Sequence, residues 1–335
     1  MAGMVVALSG ATAAAEDFYH GKQIRIVVGS DAGGGYDAYA RLLARHWGEV
    51  IPGKPSFIVQ NMPGASSLKA LNYIFNSAAR DGTVIAALQN HVGYEPMFNV
   101  IGGDNVQFDP LTLNWIGSAA KEVAVAVIWH TSPVQTLKDA MTQVVVVGAS
   151  GVGTSTGISP LVMNATAGTR FNVIQGYKSQ TEINLATERG EVQGSVGWLY
   201  SSFISTRGQW LTEKKARIIA QIALEKHPEM PDVPLVLEFA KTPDDRKQME
   251  LVFGRMLMGR PYVAPPDVPA ARVKILQDTF LTALASPPLL AEATKAKLEV
   301  GPMSGTAIQT MLAEQYRTPK PLIDKVRAIL VPPKN

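Results

Sequence analysis

Short apolar runs alternate with segments of helical period through most of the chain, and small-residue loops join them. Ile24–Val28 reads IRIVV, a run typical of a strand buried on both faces. Three consecutive glycines follow, and then Tyr36–Val50 places Tyr39, Leu42, Leu43, Trp47 and Val50 on one helical face. Phe57–Val59 reads as a second strand, Leu68, Leu71, Ile74 and Phe75 mark a second helix, and Thr83–Leu88 is a third strand. Such alternation implies βαβ units and a parallel sheet. Beyond the irregular stretches at Gly102-Gly103-Asp104-Asn105 and Asp109-Pro110, Trp115–Gly117 and Val123–Trp129 are strands. The series then restarts. Strand Val144–Val147 runs into the loop Gly148–Thr156 and a helix with Pro160 in its first turn and a stop at Gly168. Strand Phe171–Ile174, a helix from Ser179 or Gln180 to Arg189 ended by Gly190, and strand Val192–Val196 complete it. Two strand–loop–helix openings about 120 residues apart predict two similar α/β lobes. Helices over Asp267–Ala285, Ala291–Lys297 and Ala307–Tyr316 follow, and Val331–Asn335 reads as a frayed tail.

Composition narrows the chemistry. The 335 residues suit about two domains. With no Cys there is no disulfide framework, no thiolate metal site and no Cys nucleophile. The net charge is +3 and no Lys/Arg block occurs, so nucleic acid is not an expected partner. Met4–Ala15 (MVVALSGATAAA) ends in Ala13-Ala14-Ala15, which fits the small-residue cleavage rule and predicts a signal peptide over residues 1–15. No Lys or Arg precedes Lys22, so the positive n-region is missing: either the true start lies upstream, or the segment is an Ala-rich tail and not a signal. No later run reaches about 18 apolar residues, so no membrane span is expected. The five histidines include no i,i+4 pair, and neither a metal site nor a cofactor is expected.

Two loops carry the chemistry. The first, Gly29-Ser30-Asp31-Ala32-Gly33-Gly34-Gly35-Tyr36-Asp37, leads from a strand into a helix. Its glycines let backbone approach a ligand, and the unpaired N–H groups of a helix start suit an anion. Asp37 stands where an N-cap or first-turn carboxylate belongs, and its plain structural alternative is capping alone. The second loop, Ser150-Gly151-Val152-Gly153-Thr154-Ser155-Thr156, offers four hydroxyls before a helix, the alternative again being an ordinary helix cap. Neither loop fits a dinucleotide or phosphate fingerprint: Gly33-x-Gly35 is followed by Ala38, and no Gly-Lys-Ser/Thr occurs. Val152 breaks the G-x-S-x-G nucleophile elbow around Ser150. Gln89-Asn90-His91 sits at the end of the third strand, the edge where α/β sheets bind ligands.

These motifs together resemble the substrate-binding proteins of tripartite tricarboxylate transporters, the Bug receptors. Gly33, Gly34, Asp37, Ala40 and Arg41 fall on that family's opening pattern. Gln60-Asn61-Met62-Pro63-Gly64-Ala65 resembles its E-N-R-P-G-A segment, Asp81-Gly82-Thr83 its P-D-G turn, and Gly148–Thr154 its G-S-S-G-x-G loop. Gly176-Tyr177-Lys178-Ser179 resembles its P-Y-K-G turn and Pro265–Pro269 its G-T-P-x-x-V segment. The resemblance covers nearly the whole chain after residue 15.

It implies a type II-like periplasmic-binding-protein fold of two α/β lobes, with the ligand cleft between them and two crossing hinge strands, near Trp115–Val125 and Arg217–Leu224. Lobe 1 would comprise residues 16–121 and 226–335, and lobe 2 residues 122–225. The implied function is a monomeric periplasmic receptor, not an enzyme, that passes a small organic acid to a two-subunit membrane permease. The ligand-binding set would be Ala32, Gly33, Gly34, Gly35, Tyr36, Asp37, Asn90, Ser150, Gly153, Thr154, Ser155, Thr156, Tyr177, Ser179 and Trp198. In it Asp37 accepts a hydrogen bond from ligand or water, Thr154, Ser155 and Thr156 donate, and Tyr36, Tyr177 and Trp198 form walls. The sequence departs from the pattern at Gly29-Ser30-Asp31-Ala32, at Ser66-Ser67 in place of a Gly-Gly pair, and at Gly197-Trp198 in place of an Asp-Asn type pair. These departures point toward a smaller, aromatic or amphipathic acid rather than a citrate-like one. The rival readings are a periplasmic hydrolase-type enzyme built on Ser150 and a sensory module that presents its ligand to a regulator.

Overall fold

In the computed structural model, which describes residues 18–101 and 105–331, the apolar runs become strands and the periodic segments helices. In chain order the strands are β1 Gln23–Val28, β2 Ser56–Asn61, β3 Val84–Ala87, β4 Asn114–Ser118, β5 Ala124–Trp129, β6 Val145–Ala149, β7 Phe171–Gln175, β8 Gly194–Leu199, β9 Ala216–Ile222, β10 Pro261–Ala264 and β11 Met303–Ser304. The expected signal peptide and the last four residues of the tail lie outside the described residues. Among those described, no helix is long and apolar enough to cross a membrane.

The chain gathers into two compact units. The first holds the residues up to Gln89 with Gln107–Ala120 and Arg260–Met311. The second holds Asn90–Val106, Lys121–Gly259 and the chain from Leu312 onward. The expected lobes put 90–106, 226–259 and 312–335 in the first group instead. Packing accounts for the difference: helices Pro243–Phe253 and Lys320–Leu330 both lie on helix Ser155–Ala167, and Lys320–Leu330 also touches the short helix Glu95–Phe98. Of the two spans expected to cross, 115–125 contains the unit boundary at 120/121, between β4 and β5, while 217–224 lies within the second unit.

The first unit is built on a six-stranded sheet of order β11-β4-β10-β3-β1-β2. β1 pairs in parallel with β2 and β3, whereas β10 runs antiparallel to both β3 and β4. Helix Gly35–His46 covers β1 and β2 with the face carrying Tyr39, Leu42 and Leu43, all buried. Trp47, fully buried just beyond it, is the hub of this core. Its ring stacks on Phe57 at 5.3 Å and meets Phe280 edge-on at 5.2 Å, and its Nε1 donates to Thr279 Oγ1 at 3.0 Å. β10 was not visible in the sequence as a strand, because it is four residues long, opens on Pro261 and is followed at once by Pro265.

The second unit contains the parallel pair β6–β7 and an antiparallel sheet of order β8-β5-β9. Helix Ser155–Ala167 starts at Ser155, so Pro160 sits in its second turn, not its first. The helix persists because only the Thr156 carbonyl loses an intrahelical donor there, and packing on several sides holds it. Strand β8 begins two residues later than expected. Gln193 is engaged beforehand: its N–H donates to Val146 O, its Oε1 accepts from Val146 N, and its O accepts from Trp129 N.

Phe280 is fully buried between Trp47 and Tyr262. Phe280→Ala is expected to lower the stability of the chain by about 3–5 kcal/mol, read from the urea midpoint.

Candidate functional site

In the first unit, β1 ends at Val28 and the glycine loop delivers the chain to helix Gly35–His46. The N-cap is Gly34, and no side chain caps this helix at that position. Asp37, inside the first turn, holds the loop ahead of the cap instead. Its side chain is 4% exposed, and Oδ2 accepts from the Gly33 N–H at 2.9 Å and from Arg41 Nε at 2.9 Å. Oδ1 accepts from Asn61 Nδ2 at 3.0 Å. The same Nδ2 donates to Ser30 O at 3.0 Å, and Arg41 Nη2 donates to Asn61 Oδ1 at 3.2 Å. Burial pushes the Asp37 carboxyl up, but the bonds from Arg41, Gly33 and Asn61 and the Arg41 charge outweigh it and hold the group below the usual carboxylate range. Asp37 therefore staples the loop through these donors, where the sequence reading gave it a bond from ligand or water. Ala32, Gly33, Gly34 and Asp31 are exposed, and Gly35 and Tyr36 are half-buried.

A strained turn supports this loop from the end of β2. Ala65, Ser66 and Ser67 have φ of 43°, 51° and 75°, three consecutive non-glycine residues in the left-handed region. Ser66-Ser67 is the pair that replaces glycines in the family pattern. Ser67 is held there by its hydroxyl, which donates to Gly29 O at 2.8 Å and accepts from Gln89 N at 3.2 Å. Gly29 must be glycine, because a Cβ there would lie 2.4 Å from Ser67 Oγ. Among the described residues no comparable bond holds Ser66.

In the second unit the loop after β6 brings three hydroxyls together. Thr154 is the N-cap of helix Ser155–Ala167 and accepts from Gly157 N at 3.2 Å. Its Oγ1 donates to Gly151 O at 2.8 Å and lies 3.0 Å from Thr156 Oγ1. Ser150 Oγ is 3.3 Å from both threonine hydroxyls, and Ser150 N donates to Thr156 Oγ1 at 3.1 Å. A Cβ at Gly157 would meet Gly151 O at 2.1 Å, so the loop closes tightly on the helix start. Gly153 is buried in this loop and Ser155 half-buried. Among the described residues, the partners of Ser150 Oγ are the hydroxyls of Thr154 and Thr156.

The remaining expected residues take separate places within the second unit. Tyr177 is half-buried and lies over Gly148, where a Cβ would meet its ring at 3.2 Å. Burial and then the Glu191 charge raise its phenol pKa. Ser179 caps helix Gln180–Glu188 by accepting from Glu182 N, while Glu182 Oε2 accepts from Lys178 N at 2.8 Å. The Trp198 ring is 4% exposed and packs edge-on against Phe203 at 4.9 Å and Trp210 at 6.1 Å, in the core of the β8-β5-β9 sheet. Asn90 is fully buried and donates to Met256 Sδ at 3.5 Å.

The sequence reading did not single out Asn61, Arg41 or Ser67 as site residues. The i,i+4 spacing of Asp37 and Arg41 was a legible signal for one of them. Ser67 has no local sequence signal.

A family model described as "Tripartite tricarboxylate transporter family receptor" matches residues 41–328. A protein of Cupriavidus necator, "UPF0065 protein in gbd 5'region", is 24% identical over 322 residues, which are 92% of this chain and 89% of that protein. Among solved structures, the periplasmic binding protein BugD superposes with a TM-score of 0.71 at 17% identity, covering 92% of this chain and 97% of its own. MatC from Rhodopseudomonas palustris, solved with bound malate, gives 0.70 at 16% identity over 92% and 99%. An R. palustris protein solved with adipate gives 0.70 at 18% identity over 92% and 97%. At these identities the likeness is one of fold, that of the periplasmic binding proteins.

Two outcomes test this geometry. The folded pKa of Asp37 lies below its unfolded value of about 3.9, so its contribution is present above that pH and is lost as pH falls through the folded value. Asp37→Asn should therefore cost about 1–3 kcal/mol at pH 7, with the gap from wild type narrowing below about pH 4 in urea titrations. Ser66→Gly should raise stability by about 1 kcal/mol by relieving a left-handed residue that no side-chain bond supports, as read from the same titrations.

Proposed function

The chain belongs to the tripartite tricarboxylate transporter receptor family, and we propose that it is a periplasmic solute-binding protein that captures a small organic acid by its carboxylate. In this reading it acts as a monomer and hands the acid to a two-subunit membrane permease. The observation that carries the reading is the hydroxyl cluster of Ser150, Thr154 and Thr156 at the start of a 13-residue helix. The Thr154 proton is committed to Gly151 O, but the Ser150 contacts at 3.3 Å are long for O–H···O bonds. A carboxylate oxygen is a better acceptor than a neighbouring hydroxyl, so these protons turn to it at little cost. The positive end of the helix adds to the attraction. In the first unit the Gly34 and Gly35 N–H groups at the start of Gly35–His46 are a further set of donors, the Gly33 N–H being held by Asp37.

Neither set includes a Lys or Arg that would pair with the acid. Malate in MatC and adipate in the second R. palustris protein are acids of the size this reading assigns to the chain.

The test is a thermal-shift screen of malate, adipate and other small acids against the corresponding amides. An acid at about 100 times its dissociation constant should add about 2.7 kcal/mol, a rise of a few degrees, while its amide gives no shift. No shift with any acid, repeated on protein unfolded and refolded to remove retained ligand, would overturn the reading.

A further inference from the structure

Arg260 is the first residue of the chain's return to the first unit, and it is 1% exposed. Its backbone is fixed in both directions. The N–H donates to Ser118 Oγ at 3.0 Å, and the carbonyl accepts from Ala119 N at 3.0 Å. Immediately after it, β10 is paired on both edges, with β3 and β4. The root of this side chain is therefore rigid.

Its guanidinium carbon lies 4.6 Å from the centroid of the Tyr36 ring and 4.8 Å from that of Tyr39. The two tyrosines are three residues apart on one face of helix Gly35–His46. Tyr39 is anchored independently, since its hydroxyl donates to Glu299 O at 2.7 Å. Tyr36 is half-buried against the same core and belongs to the first helical turn, directly behind three glycines that bring no side chains to pack. A glycine run loses more conformational entropy on ordering than any other sequence, so it needs an external support to hold its N–H groups in one place. Asp37, through Arg41 and Asn61, supplies that support on one side of the turn.

We infer that Arg260 supplies the other: it is a positioning residue that clamps Tyr36 by its ring face and so holds the first turn of Gly35–His46 ready for a carboxylate. This rests on the receptor reading for its purpose, but the clamp itself is a property of the empty protein. An Arg at this position suits the task better than a Lys, because a planar guanidinium can lie over two rings at once. Ordering the turn before the ligand arrives removes that cost from the binding step.

The experiment has two arms. The first needs no ligand: amide hydrogen exchange over residues 33–38 in wild type, Arg260→Met, Tyr36→Leu and Tyr36→Phe. Exchange should quicken about tenfold in Arg260→Met and Tyr36→Leu, the scale of a desolvated cation–π contact, and stay near wild type in Tyr36→Phe, which keeps the ring. Tyr36→Leu changes a half-buried residue and serves if Arg260→Met does not fold. Unchanged exchange in Tyr36→Leu overturns the clamp whatever the protein binds.

The second arm measures the affinity for malate and adipate by calorimetry. Arg260→Met and Tyr36→Leu should each weaken binding about tenfold, and the double variant no more than either alone. Additive losses would mean that the two residues act separately and would overturn the clamp. If wild type binds neither acid, the receptor reading loses its support while the exchange arm still decides the role of Arg260.

Discussion

The first-turn N–H groups of a helix have no acceptor within the helix, and both loops that follow a strand here are organised around that fact. The two units meet it in different ways. In the second, Thr154 is a conventional side-chain cap and its neighbours Ser150 and Thr156 extend the cap into a cluster of hydroxyls. In the first, the cap position is a glycine with no side chain, and Asp37, inside the first turn, turns its carboxylate back onto the Gly33 N–H just ahead of the cap. A negative charge at a helix start is stabilising, but it also consumes donors that an acid would otherwise use. The arrangement reconciles the two demands by giving Asp37 dedicated partners in Arg41 and Asn61.

Much of this was legible in the residues. The alternation of IRIVV-type runs with helical faces fixed the βαβ pattern of both units, and the small-residue composition of 29–37 and 148–156 marked the loops. What escaped was whatever depends on residues far apart in the chain. Pro160 marks the first turn only if the helix begins later than Thr154, and it is the Thr154 cap that decides where it begins. Val192–Val196 looked like a uniform strand, yet Gln193 bonds to β6 and displaces the start of β8. Trp198 is expected as an aromatic wall from its place in the family pattern, and no local signal shows that its ring also joins a cluster with Phe203 and Trp210. Arg260 and Tyr36 are 224 positions apart, and no local pattern could have joined them.

The turn at 65–67 shows the same tension between local preference and tertiary demand. Glycine would adopt these angles without strain, and serine does not. At Ser67 the hydroxyl compensates by tying the end of β1 to the end of β3, a bond glycine could not make. Strain there is the counterpart of a link between two strand ends that deliver residues to the loops.

The place of β10 in the first sheet bears on how the chain reaches this structure at all. β10 comes from residues 261–264 yet lies between β3 and β4, which are complete by residue 118. During synthesis from the N-terminus the sheet therefore waits, with a gap at its middle and two unpaired edges, for more than a hundred residues that belong mostly to the other unit. Residues 121–259 are one continuous stretch of the second unit, which the chain from Leu312 onward completes. Closing the gap in the first sheet is a contact of high sequence separation and so a slow one, and until it closes two strand edges stay open to wrong pairing.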